Sequence, residues 1–128
     1  MLPELSLEAR SAIVTGAGSS GPGMGSGKAT SVLFAREGAR VLLVDSAAQR
    51  GEETLAMIED EGGEASVFEA DVTRADDCKS MVEAAIDRYG RLDILDNIVG
   101  IFRRGTGVEV EEEDWDLIMN INVKSIVL

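Results

Sequence analysis

Residues 15–28 read Thr15-Gly16-Ala17-Gly18-Ser19-Ser20-Gly21-Pro22-Gly23-Met24-Gly25-Ser26-Gly27-Lys28, with six glycines in fourteen positions. Just before them, Ser11-Ala12-Ile13-Val14 runs into Thr15 as a short apolar stretch. Just after them, Lys28 to Glu37 carries Ala29, Val32, Leu33 and Phe34 on or near one helical face and stops at Gly38. The stretch is therefore a glycine-rich turn between a strand and a helix. Glycine permits positive φ in such a turn, lets the backbone approach a ligand, and lets helix and strand pack closely. The free N–H groups and positive dipole end of the helix suit a phosphate.

Strand-like and helix-like segments alternate along the rest of the chain. Arg40 to Asp45 is a continuous apolar run ending in an acid, suited to a parallel strand covered on both faces. Ala47 to Glu61 is an acidic amphipathic helix closed by Gly62-Gly63, and Glu64 to Ala70 is a weaker strand. In Asp76 to Tyr89, Cys78, Met81, Val82, Ala85, Ile86 and Tyr89 fall at helical spacing, which predicts one buried face. Leu92 to Leu95 opens a fourth strand, and residues 103–110 form a polar loop. Glu111 to Leu128 reads as a single fourth helix with acids at its N-terminal end and Trp115 in the core. The order βαβαβαβα predicts a Rossmann-type α/β fold: a doubly wound parallel sheet with right-handed crossovers, in one domain over 1–128.

The charge balance narrows the partners. Lys and Arg number 12 against 24 Asp and Glu, a formal net charge of -12. Nucleic acid and anionic membranes need a basic surface, so neither is expected. A phosphate held by backbone N–H groups remains compatible. One cysteine, Cys78, excludes an intrachain disulfide, and its helical position predicts burial. The chain has no histidine, which removes His-based metal sites and Ser–His or Cys–His nucleophile pairs, and no metal is expected. Met1-Leu2-Pro3-Glu4 lacks the basic region and apolar run of a signal peptide, and no apolar stretch can span a bilayer. A cytoplasmic protein is expected.

Asp45 closes the second strand of the same βαβ unit as the glycine turn. A carboxylate there can accept hydrogen bonds from an adenosine ribose, so strand, turn, helix and acid together point to a dinucleotide. A P-loop is the competing phosphate site. Gly27-Lys28 matches its end, but Pro22 replaces its first glycine and Ala29 replaces the hydroxyl residue that would bind Mg²⁺.

From about Leu5 onward the sequence resembles the short-chain dehydrogenase/reductase family. Thr15-Gly16-Ala17-Gly18-Ser19 is similar to the start of that family's Thr-Gly-x-x-x-Gly-x-Gly turn, and Gly25-Ser26-Gly27 to its end, leaving Ser20 to Met24 as an insertion. A second register through Gly21-Pro22-Gly23 makes the helix too long. Asp71-Val72 resembles the pair whose aspartate contacts adenine. Asn97-Ile98-Val99-Gly100 resembles the Asn-Asn-Ala-Gly end of the fourth strand, with the first Asn and the Gly kept. Asn122, in Asn120-Ile121-Asn122-Val123-Lys124, matches the asparagine of the catalytic Asn-Ser-Tyr-Lys set. On a regular helix Asn120 lies about 200° from Asn122, so the two cannot face one site.

The resemblance implies a nicotinamide dinucleotide as cofactor, with Thr15, Gly16, Gly18, Ser19, Gly25, Gly27, Asp45, Asp71, Val72, Asn97 and Gly100 as its binding residues. An acid at Asp45 favours NAD over NADP, although Arg50 is near in sequence. Asp96 is unusual, because a charge in a central parallel strand is costly unless paired; it is either an active-site-facing carboxylate or a strained position.

The proton-transfer residues are missing. The family uses a serine and a Tyr-x-x-x-Lys pair, in which the lysine lowers the tyrosine pKa. Tyr89 is the one tyrosine here, and Asp93 stands four residues later. The chain is therefore expected to be a fragment or truncated gene product, ending after the fourth βα unit and inactive alone. The intact parent is expected to be a homo-oligomer acting on a small alcohol or ketone. A non-catalytic dinucleotide-binding module is the alternative.

Overall fold

The computed structural model describes residues 6–128, so the reading of Met1-Leu2-Pro3-Glu4 lies outside the described residues. Ser11–Thr15 (β1) is buried at every position, as a strand covered on both faces must be. Arg40–Asp45 (β2) is buried from Val41 onward. With Glu64–Glu69 (β3) and Ile94–Asn97 (β4) they form a parallel sheet in the order β3-β2-β1-β4. The predicted alternation of strands and helices is therefore the observed one.

Side-chain alternation divides the core into two layers. On one face Ile13, Leu42 and Val44 pack against Cys78, Met81, Ala85 and Tyr89 of Ala75–Tyr89 (α3). On the other, Val14, Val41 and Leu43 meet Val32 and Ala35 of Ser26–Arg36 (α1) and Ile58 of Ala48–Asp60 (α2). Each fully buried aliphatic side chain contributes about 1.5–3 kcal/mol, so the β1–β2 pair anchors the fold. Cys78 is buried as expected, and burial raises its thiol pKa.

The two margins of the sheet differ. At β3, Arg88 donates to the Val67 carbonyl at 2.9 Å and to Ser66 Oγ at 3.0 Å, and its guanidinium lies over the Phe68 ring. At β4, no further strand pairs among the described residues, and Leu95 is 46 % exposed. Asp96 stands opposite Val14 in register, on the α1 and α2 face, and does not line the functional cleft.

Three local expectations need correction. Leu33, Val82 and Ile86 point outward, because the apolar stripes of α1 and α3 are wider than the faces the sheet covers. Trp115 is 55 % exposed rather than in the core. Its helix, Glu112–Met119 (α4), buries no side chain, because no described element covers its apolar side. The predicted single helix is also broken: α4 passes into a π-helical turn, Asn120–Lys124, and then a last short turn, Ser125–Val127 (α5). No helix among the described residues is long and apolar enough to cross a membrane.

Candidate functional site

The glycine turn is held from three sides. Ala17 N–H donates to the Val44 carbonyl (3.1 Å) and Gly18 N–H to Asp45 Oδ2 (3.1 Å), so β2 fixes its first half. Thr54 of α2 donates to the Ala17 carbonyl at 2.8 Å. Ser19 Oγ accepts from Gly25 N–H (2.9 Å) and donates to the Gly23 carbonyl (3.1 Å), closing the inserted segment at its base. α1 begins at Ser26, where the register through Gly25-Ser26-Gly27 puts it. A Cβ on Gly27 would stand 1.8 Å from the Gly16 carbonyl oxygen, so only glycine allows the helix to approach the turn this closely.

Gly25 caps α1 without a side-chain bond, and the first intrahelical bond is Ala29 N–H to the Gly25 carbonyl. The N–H groups of Ser26, Gly27 and Lys28 thus have no internal partner among the described residues and mark an anion site. Lys28 is not part of it. Its ammonium turns toward Glu53 of α2 at 3.8 Å and lines no part of the cleft, against the P-loop reading.

A cleft of about 960 Å³ lies outside the carboxyl ends of the strands. It sits where the chain order reverses between β1 and β4, the place where open parallel sheets bind ligands. Of the expected binding residues, Gly16, Gly18, Ser19, Gly25, Gly27, Asp45, Asp71, Val72 and Gly100 line it. Asp45 is buried, with Oδ1 accepting from Ala47 N–H (3.0 Å) and Oδ2 from Gly18 N–H. Asp71 Oδ1 accepts from the hydroxyl (2.6 Å) and N–H (2.9 Å) of Thr73, and these bonds hold its carboxyl pKa below the ordinary value.

Thr15, Asn97 and Asn122 do not line the cleft. Thr15 braces it: its hydroxyl donates to the Asp96 carbonyl and accepts from Ile98 N–H, both at 3.3 Å. Asn97 pairs with Thr15 in register on β4. Asn122 spends both ends of its carboxamide on Ile101, accepting from its N–H (2.8 Å) and donating to its carbonyl (2.7 Å). The π turn leaves Asn120 and Ile121 on the cleft while Asn122 holds the irregular segment at Ile101.

Sequence reasoning missed several lining residues. Ser46 and Arg50 follow Asp45 closely in the chain, which was the available signal, although Ala47, Ala48 and Gln49 between them line no part of the cleft. Leu117, Asn120 and Ile121 gave none, because their placement depends on the π turn. Among the described residues no cluster of acids or cysteine has the makings of a metal site.

A family profile described as short chain dehydrogenase matches residues 10–128. The 3-oxoacyl-(acyl-carrier-protein) reductase FabG of Thermotoga maritima is 38 % identical over 120 residues, covering 94 % of this chain and 47 % of its own length. A crystal structure attributed to the short-chain dehydrogenase/reductases, from Burkholderia xenovorans, superposes with a TM-score of 0.91 at 36 % identity, covering 94 % of this chain and 48 % of that one. A short chain dehydrogenase structure from Mycobacterium smegmatis gives 0.87 at 29 % identity, with 94 % and 48 % covered.

The chain belongs to the short-chain dehydrogenase family. It spans about half the length of the curated relatives it matches.

Proposed function

We propose that this chain is the dinucleotide-binding part of an NAD(P)-dependent oxidoreductase acting on an alcohol or carbonyl substrate, with NAD preferred. One observation carries the proposal: the open N–H groups at the start of α1 and the fixed carboxylate of Asp45 face one cleft across the Gly16–Gly27 cradle. A pyrophosphate suits that cradle, because the N–H groups at the start of α1 are open to it and Gly16, Gly18, Gly25 and Gly27 line it without side chains. Asp45 keeps lone pairs free beyond its two N–H bonds and would accept from a ribose hydroxyl. Asp71 and Val72 would border the adenine, and Gly100 the ribose on the nicotinamide side. When bound, the nicotinamide supplies or accepts a hydride.

Within this set, Asn122 has the geometry of a positioning residue, since its carboxamide fixes Ile101. Tyr89 is no proton donor for the reaction. It is buried in the core, its hydroxyl is 2.7 Å from Ser66 Oγ and 3.1 Å from the Val41 carbonyl, and burial pushes its pKa up. The chain alone is therefore expected to bind cofactor without turnover. The cytoplasmic setting and the homo-oligomeric parent belong to the same proposal.

Calorimetric titration of the purified chain with NAD, NADP and Mg-ATP tests it. NAD should bind, more tightly than NADP. Mg-ATP binding that depends on Lys28, or no dinucleotide binding, overturns it.

A further inference from the structure

Thr54 lies in the middle of α2 and is fully buried. A hydroxyl inside a helix commonly donates to the carbonyl four residues back. Ser31 of α1 does so, to the Gly27 carbonyl at 2.7 Å. Thr54 is aimed elsewhere. The Arg50 carbonyl of its own helix is 3.4 Å away, while the Ala17 carbonyl of the glycine turn is at 2.8 Å. Other contacts seat α2 at this distance. A Cβ on Gly51 would stand 2.9 Å from the Val67 side chain of β3, and Ile58 is buried in the core.

The carbonyl that Thr54 holds belongs to the Ala17–Gly18 peptide, whose N–H donates to Asp45 Oδ2 at 3.1 Å. One planar peptide is thus gripped at both ends, by a hydroxyl on its oxygen and a carboxylate on its N–H. Among the described residues no other donor reaches the Ala17 oxygen. A bond to that oxygen polarises the peptide and strengthens the bond its N–H makes. It also fixes the peptide plane, so the N–H stays on Asp45. The remaining hold on that carboxylate is Ala47 N–H, on Oδ1.

We infer that Thr54 is a positioning residue for the ribose-binding carboxylate: through the Ala17–Gly18 peptide it keeps Asp45 oriented toward the cleft. The inference rests on the dinucleotide reading above. It assigns part of the NAD preference to a side chain that lines no part of the cleft.

The test is calorimetric titration of the wild type, T54V and T54S with NAD and with NADP, and of T54V again in a D45N background. Valine fills the same space without a donor, and serine keeps the donor. T54V should weaken NAD at least fivefold and NADP less than twofold. T54S should bind both within twofold of wild type. With Asp45 neutralised, T54V should weaken NAD less than twofold. If thermal unfolding shows that T54V does not fold, T54C, with its weak thiol donor, replaces it and should weaken NAD at least twofold with NADP unchanged. Equal loss of NAD and NADP, the same NAD loss in the D45N background, no change in NAD, or T54S behaving as T54V overturns the inference. NADP bound more tightly than NAD by the wild type overturns the role of Asp45, and this inference with it. Failure of the wild type to bind either dinucleotide instead overturns the dinucleotide reading itself.

Discussion

Gly27 lies against Gly16 so closely that a Cβ on the first would stand 1.8 Å from the carbonyl oxygen of the second. That oxygen is backbone and cannot swing away. G27A must push α1 off the turn, at about 1–3 kcal/mol or more, and should abolish NAD binding. Gly21 is the control: a Cβ there meets nothing within 4 Å. G21A should stay within about 0.5 kcal/mol of wild type. Thermal unfolding and NAD titration of both variants check the contrast.

Asp45 does two jobs, one for the fold and one for the ligand. Its carboxylate accepts from Gly18 N–H and Ala47 N–H. D45A strands both donors and should cost about 1–3 kcal/mol. D45N keeps an oxygen but loses the charge. It should raise the ratio of NADP to NAD affinity by tenfold or more, since the repulsion toward a 2′-phosphate is gone. Paired Kd measurements decide it.

Asn122 ties the π turn to the end of β4 through Ile101. N122A removes both bonds and should destabilise the chain by about 1–3 kcal/mol. The Ile101 amide should lose hydrogen-exchange protection while core amides of β1 keep theirs. N122D still accepts from the amide but sets an oxygen against the Ile101 carbonyl, so it should not rescue.

Asp93 sets an acid limit. It accepts from Arg91 (2.6 and 2.7 Å) and from Ser11 N–H (3.0 Å), and these bonds lower its pKa from 3.8 to about 2. A depressed carboxyl pKa means that the unfolded chain binds the proton first. The stabilisation is full above the unfolded value and is lost as pH falls through about 2. The melting temperature should drop across that window. D93N should lower it near neutral pH and flatten the drop.

The fold was legible where local pattern and burial agree. Val41 to Val44 are apolar without interruption and are buried on both faces. The glycine turn and Asp45 were legible because their roles depend on backbone freedom and on a strand end. Ser19 was legible as a turn residue, but its hydroxyl closes the inserted loop, a contact across six residues that spacing does not reveal. Trp115, Val82 and Ile86 misled because large apolar residues at helical spacing read as core whether or not anything covers them. The π turn was illegible because nothing in Asn120-Ile121-Asn122-Val123-Lys124 departs from a regular helix. What distinguishes it is Asn122 reaching Ile101, 21 positions away.

The Arg88 contact on Val67 guards one margin of the sheet. A strand margin with unpaired carbonyls is a template for another chain, and a long cation laid across it is an obstacle. A sheet open on both margins can add copies at each end and lengthen into a filament. With Val67 held by Arg88, the β3 margin offers one carbonyl fewer for another chain to pair with.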